Sequence, residues 1–252
     1  MSGAADWCET SKVSVPSQSE IQVWRIPLTV QPGTETRFKD FLCLQERHRA
    51  GRFHFAHDQR RFVIRRAVLR QLLAASLETT PQAVQLEFGP HGKPVVSGQT
   101  SASGLRFSCS HSGDWALIAL ARGSELGVDL EQHRPMIEAE ALAKSFFSPA
   151  EISELAGLPP TLKLAGFFNA WTRKEAFVKA IGLGLSYPLD RFSVSLAPGK
   201  PAVLLAMADE VDALKKWTLN SLDALPNYSA ALVFEGKQPS LRGFTWKHEI
   251  CR

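Results

Sequence analysis

The chain has 252 residues, 44% hydrophobic and 21% charged, with a formal net charge of +4 and a pI near 8.9. That length can build one large core or two moderate ones, and the charge content is ordinary for a globular protein. No apolar run approaches the ~18 residues needed to cross a bilayer, and the mild basic excess suits a polyphosphate ligand or an acidic partner without requiring either.

Residues 1–20 are small and polar and are expected to form a flexible segment. They contain no positive region followed by an apolar stretch, so no secretory leader is expected. Cys8, Cys43, Cys109 and Cys251 lack metal-type spacing, which favours reduced thiols in a cytoplasmic setting. IQVWRIPL (21–28) reads as an opening strand and 35–50 as a helix. Residues 58–77 place apolar side chains at helical spacing with five arginines between them, and Thr79-Thr80-Pro81 ends the run. FGPHGKPVV (88–96) is a loop entering a strand, and GQTSASG (98–104) is a turn-rich link. FSCSHSGDWALIALAR (107–122) is a strand, a tight turn at Ser112-Gly113-Asp114 and a second strand; ELGVDLEQ (125–132) is another. Helix returns at 138–147. Ser148-Pro149-Ala150-Glu151 then has a helix-start signature: an N-cap Ser, Pro at the first position, and Glu three residues after the Ser. A long helix spans 162–181 and stops at Gly182, and RFSVSL, KWTLN, YSAALVFE and LRGFTWKHE (191–249) are strands. One long helix and several mostly antiparallel strands in each half predict an α+β fold of two similar lobes. The expected division is a flexible segment at 1–20, an N-terminal lobe at 21–125 and a C-terminal lobe at 126–252.

Three carboxylates carry the chemistry. Residues two apart on a strand share a face, so Asp129 and Glu131 project together while Val128 and Leu130 face the core. At about 100° per residue, Leu164, Phe167, Phe168, Trp171 and Val178 form an apolar helix stripe with Glu175 near its middle, flanked by Lys174 and Lys179. A carboxylate there needs a partner. A metal shared with Asp129 and Glu131 supplies one, and Mg²⁺ favours oxygen ligands completed by waters and substrate phosphates. An Asp-x-Glu alone is more often a surface ion pair, and a Glu–Lys pair at i, i+4 is a common solvated helix edge. Glu175 within the stripe tips the reading towards metal.

Beside a metal-bound polyphosphate, Lys174 and Lys179 would offset charge on a leaving group. Ser110 and His111 lie at a strand–turn junction where they can contact phosphate oxygens, although turns also select such residues for backbone geometry. A Ser/His/Asp hydrolase built on Asp114 is disfavoured, because the residues are consecutive and no Gly-x-Ser-x-Gly elbow exists. Arg47, Arg49, Arg52, Arg60, Arg61, Arg65, Arg66 and Arg70, with Lys93, make the N-terminal half basic. Guanidinium forks suit phosphate, yet most of these belong on a solvated helix face. With 25 acidic residues in the chain, no continuous basic stripe points to nucleic acid.

Together these segments resemble the 4′-phosphopantetheinyl transferase superfamily, in its long two-lobed type typified by the surfactin-synthetase-activating enzyme. GKP (92–94), FSCSHS (107–112) ahead of GVDLE (127–131), FFSPAE (146–151) and FNAWTRKEAFVKAIGLGL (168–185) match in order, and ERHRAGRFHFAHDQRR (46–61) resembles the family's basic segment. The resemblance implies magnesium-dependent transfer, with Mn²⁺ as an alternative, of the phosphopantetheine arm of coenzyme A to a serine of an acyl or peptidyl carrier protein. Adenosine 3′,5′-bisphosphate would leave. It implies coenzyme A bound between pseudo-symmetric lobes of a monomer. Asp129, Glu131 and Glu175 would be the metal acids, and Lys174 and Lys179 would lie near the pyrophosphate. Ser110 and His111 would contact phosphate, Lys93 would lie beside the adenine, and Arg61, Arg47 and Arg49 would surround the 3′-phosphate. Glu175 is the first candidate to take the serine proton, with Glu131 and Glu151 as alternatives, and Lys179 would act beside it. Phe146 and Phe147 read as core or as carrier contacts. The rival functions are a metal-dependent phosphohydrolase and a non-catalytic coenzyme A-binding module.

Overall fold

Two long helices and two sheets stack as four layers in the computed structural model, which describes residues 7–30, 35–135, 139–207, 213–237 and 239–248. The first half runs β1 (Trp7–Thr10), β2 (Glu20–Pro27), α1 (Glu35–Lys39), α2 (Leu44–Gly51), α3 (Ala56–Ser76), β3 (Leu86–Phe88), β4 (Pro94–Val96), β5 (Leu105–Ser112) and β6 (Trp115–Arg122). The second runs β7 (Leu126–Gln132), α4 (Ala139–Phe146), α5 (Pro149–Gly157), α6 (Pro160–Ile181), β8 (Phe192–Val194), β9 (Leu204–Met207), α7 (Ala213–Lys216), β10 (Trp217–Ser221), β11 (Tyr228–Glu235) and β12 (Ser240–Trp246). The strand orders are β1-β12-β2-β6-β5 and β10-β11-β7, with small hairpins β3–β4 and β8–β9.

The layering follows from the strand patterns. Ala116, Ile118 and Leu120 of β6 join the core under α3, whereas Leu117, Ala119 and Ala121 join the core between the two sheets. A strand covered on both faces reads as a continuous apolar run, which explains the unalternating WALIALA. In β11, Ala231 and Val233 face the α6 core, and Ala230, Leu232 and Phe234 face the first sheet. The fold is therefore α+β, with α3 and α6 on the far faces of the two sheets and a shared apolar seam between the lobes.

The chain-order division needs correction at both ends. Trp7–Thr10, within the segment expected to be flexible, is a strand. β12, from the second half, lies in the first sheet, parallel to both β1 and β2. Aromatic packing accounts for this placement: Phe244 stacks on Trp24 at 4.5 Å, and Trp246 lies 6.0 Å from the same ring. The helix expected over 35–50 is two helices, and the N–H of Cys43 at the break donates to Glu46 Oε2 at 3.3 Å. The helix start at Ser148 is a reciprocal cap, with Ser148 N–H donating to Glu151 at 2.8 Å and Glu151 N–H to Ser148 Oγ at 3.3 Å. Gly182 ends α6 at φ 75°, a conformation that favours glycine. Residues 1–6, Glu138, Glu249 and Cys251 lie outside the described residues; Cys8, Cys43 and Cys109 are free thiols.

Candidate active site

The site forms where the edge strands of the two stacked sheets come together. β5 and β7 are the terminal strands of their sheets and lie side by side. On its other face β7 presses against α6 at Gly127, where an added Cβ would fall 2.0 Å from Ala176 O and 2.4 Å from Ala180 N. Only glycine permits that approach, and the approach brings Asp129 of β7 within reach of Lys179, one turn beyond Glu175 on α6.

A cavity of about 630 Å³ opens there, lined by Ser110, His111, Asp129, Glu131, Glu175 and Lys179, with Phe146 and Trp171 at one wall. An adjoining cavity of about 640 Å³ shares Glu175 and Lys179 and continues along Lys93, Phe107 and Cys109. Lys179 Nζ donates to Asp129 Oδ1 at 2.6 Å and to Ser110 Oγ at 3.1 Å, and Ser110 Oγ donates to the same Asp129 oxygen at 2.6 Å. Ser112 Oγ donates to Glu131 Oε2 at 2.7 Å.

The electrostatics are unbalanced in a way that invites a ligand. Burial, then the charges of Asp129 and Glu131, push the Glu175 carboxyl above its ordinary range. Burial also raises Glu131, and the charge of Asp129 adds to it despite the hydrogen bond from Ser112. Burial alone would lower Lys179, but attraction to Asp129 raises it, so the ammonium stays charged. Burial together with the cations Arg65 and Lys179 holds His111 down at about 4, a neutral imidazole at neutral pH.

Among the described residues no three His, Cys, Asp or Glu side chains stand close enough together to form a ready-made metal cage. Lys179 and Ser110 occupy one oxygen of Asp129, and Ser112 holds one of Glu131. The donor set nevertheless fits a hard divalent cation. All three acids line one cavity, and Asp129 Oδ2 is buried with no hydrogen-bond partner. Waters and substrate phosphates are the usual complement to such a partial carboxylate set.

Several sequence expectations change. Lys174 is fully buried, paired with Glu151 at 2.8 Å, and donates to the carbonyls of Leu189 (2.7 Å) and Phe192 (2.6 Å). It sits one residue before Glu175 and so points about 100° away around the helix, out of the cavity. Glu151 is likewise buried, capping α5 and accepting from Val194 N–H at 2.8 Å, so it cannot reach a substrate serine. Lys93 lines the second cavity with its stem, but its ammonium is engaged by Glu125 (2.8 Å) and Ala180 O (3.0 Å). Arg47 donates to the carbonyls of Leu42 (3.2 Å) and Asp40 (3.3 Å), and Arg49 lies over the Phe62 ring. Arg61 does reach a smaller pocket beside His111, where it pairs with Asp114 at 2.6 Å. Arg65 shares that pocket with a buried Nε lacking a hydrogen-bond partner. Its i, i+4 relation to Arg61 was the signal that could have singled it out among the arginines. Phe147 is core, and Phe146 lines the cavity at 36% exposure, edge-on to Trp171.

Carboxylates, a charged lysine and a neutral histidine converge on one cavity of a two-lobed α+β protein. Comparison with known families is specific. The family described as the 4′-phosphopantetheinyl transferase superfamily matches residues 125–233, and the 4′-phosphopantetheinyl transferase N-terminal family matches residues 32–122. The chain is 36% identical over 231 residues to the 4′-phosphopantetheinyl transferase HetI of Nostoc sp., covering 90% of both chains. It is 37% identical over 172 residues to a putative 4′-phosphopantetheinyl transferase of Synechocystis sp., 68% of each chain. It is 31% identical over 160 residues to the 4′-phosphopantetheinyl transferase Sfp of Bacillus subtilis, 64% of this chain and 69% of that one. The chain belongs to the 4′-phosphopantetheinyl transferase superfamily.

Proposed function

We propose that the protein transfers the 4′-phosphopantetheine arm of coenzyme A to a serine hydroxyl of an acyl or peptidyl carrier protein, working as a cytoplasmic monomer. The serine oxygen forms a bond to the β-phosphorus, the pyrophosphate P–O bond breaks, and adenosine 3′,5′-bisphosphate leaves. The observation that carries this reading is the Lys179–Asp129–Ser110 cluster facing a cavity shared with Glu175 and His111. Lys179 offsets charge on the pyrophosphate and neutral His111 donates a hydrogen bond to a phosphate oxygen, while Ser110, whose one proton goes to Asp129, holds that carboxylate and the Lys179 ammonium in place. Glu175, with its proton affinity raised, is the first candidate to accept the serine proton; Glu131 is the second. Asp129, Glu131 and Glu175 are proposed to hold Mg²⁺ or Mn²⁺, which when bound would clamp and neutralise pyrophosphate oxygens. Arg61 and Arg65 would take the remaining phosphate at the small pocket. Both lobes of one chain build the cleft, which supports a monomer. Among the described residues no helix is long and apolar enough to cross a membrane.

Incubation with coenzyme A and Mg²⁺, with and without an apo carrier, tests the reaction class. Adenosine 3′,5′-bisphosphate should appear only with the acceptor, together with a carrier heavier by one phosphopantetheine. Release without the acceptor would make the protein a hydrolase.

A further inference from the structure

Three serines at alternate positions of β5 meet β7 across the lobe boundary. Ser108 Oγ accepts from Val128 N–H at 3.1 Å, Ser110 Oγ donates to Asp129, and Ser112 Oγ donates to Glu131. Alternate residues of a strand share a face, so the three hydroxyls form consecutive rungs. The two strands belong to different sheets, and these side chains join them where no backbone ladder does. The rungs differ in kind: the first holds backbone, and the other two each hold a carboxylate.

The last rung is the most constrained. Ser112 Oγ also accepts from Gln132 N–H at 3.1 Å. A hydroxyl has a single proton to donate, and with this N–H directed at its lone pair, that proton is committed to Glu131 Oε2. The following Gly113, at φ 56°, is pinned in the same place. A Cβ there would fall 2.4 Å from Gln132 Oε1 and 2.8 Å from the Tyr228 hydroxyl. The β5–β6 turn is therefore seated on the end of β7, with Ser112 fixed from both sides.

We infer that Ser112 is a positioning residue. From the N-terminal lobe it immobilises one oxygen of Glu131 in the C-terminal lobe and leaves the other directed to the cavity, so that the acid is aimed only when the lobes are correctly docked. This deepens the transferase reading and rests on it. Outer hydrogen bonds to metal-binding carboxylates typically alter metal affinity by about 10–100-fold.

The test is an Mn²⁺ titration of the full chain saturated with coenzyme A, followed by the electron paramagnetic resonance of free Mn²⁺. Ser112→Ala should weaken half-saturation by about 10-fold and lower kcat at saturating coenzyme A more than it raises KM. Ser112→Thr, which restores a hydroxyl, should return both towards wild type. In a Glu131→Gln background Ser112→Ala should add nothing, because the serine acts through that carboxylate. Ser108→Ala, which removes a rung without touching an acid, should lower the melting temperature yet leave the Mn²⁺ midpoint in place. If Ser112→Ala does not fold, Ser112→Cys, a weaker donor, should show the same direction of change. A wild-type Mn²⁺ midpoint in the folded Ser112 variant, with a melting loss like that of Ser108→Ala, overturns the proposal. Carrier loading by the wild-type chain, run in parallel, reports separately on the transferase reading.

Discussion

The two lysines of α6 have similar neighbours in sequence and opposite fates in the fold. Lys174 is sealed in the C-terminal lobe, where Glu151 and two carbonyls accept its protons. Lys179, five residues on, meets Asp129 and Ser110 at the wall of an open cavity, beside acids whose carboxyls are pushed up by burial and by one another. One cluster is closed and electrically complete. The other has an orphaned Asp129 oxygen and mutually repelling carboxylates. A buried charge therefore does not mark function by itself; incomplete compensation next to a cavity does. The Glu46–Arg66–Arg70 cluster is a second closed case, with Arg70 also donating to Pro81 O (2.7 Å) and Val84 O (3.0 Å).

Breaking each cluster should separate the two roles. Lys179→Ala should reduce carrier loading by about 10²–10³-fold, the scale for losing one preorganised charge-stabilising donor, a loss far larger than any drop in melting temperature explains. Loading followed by intact-mass spectrometry checks this, and activity within a few-fold of wild type would remove Lys179 from the site. Lys174→Met should act through the fold instead. Leaving Glu151 buried and unpaired costs roughly 3–5 kcal/mol, whereas neutralising both partners costs far less. Denaturant melts of Lys174→Met and of Lys174→Met with Glu151→Gln should thus differ sharply, with loading recovered in the double variant. Failure of the double variant to load at wild-type stability would return Lys174 to the chemistry.

The smallest expected effect is on acid stability. Burial alone would raise Glu46, but Arg66 and Arg70 hold it below its ordinary 4.5. A depressed carboxylate contributes stability that is fully present above its unfolded pKa and is lost as pH falls through the folded one. Melting temperature should therefore fall in two stages: from about pH 6.5, as the unfolded chain protonates His111 while the fold holds it neutral, and again below about pH 5 as Glu46 is protonated, and Glu46→Gln should flatten only the second stage. An unchanged slope would mean that other carboxylates dominate acid unfolding.

Much of this was legible in the sequence, for identifiable reasons. The long helices, the Ser148 cap, the Gly182 stop and the pairing of Asp129 with Glu131 on β7 follow from periodicities of 3.6 and 2 and from local capping. The return of β12 to the first sheet was not, because it depends on Trp24 finding Phe244 across the whole chain. Nor was the division of labour between Lys174 and Lys179. Both flank Glu175, and only the packing of α5 and the β8 region around α6 decides which ammonium is enclosed. Arg65 was lost among its neighbours because composition flags an arginine-rich helix without saying which guanidinium faces the pocket.

The most direct test is Glu175→Gln, with coenzyme A affinity and single-turnover loading of an apo carrier measured separately. The amide keeps the shape but not the charge or basicity. Loading should fall by about 10²–10⁴-fold, the range for a lost proton acceptor, while coenzyme A still binds through Lys179, His111 and the arginine pocket. Loading at a near-normal rate would contradict both the base and the metal-ligand assignments of Glu175.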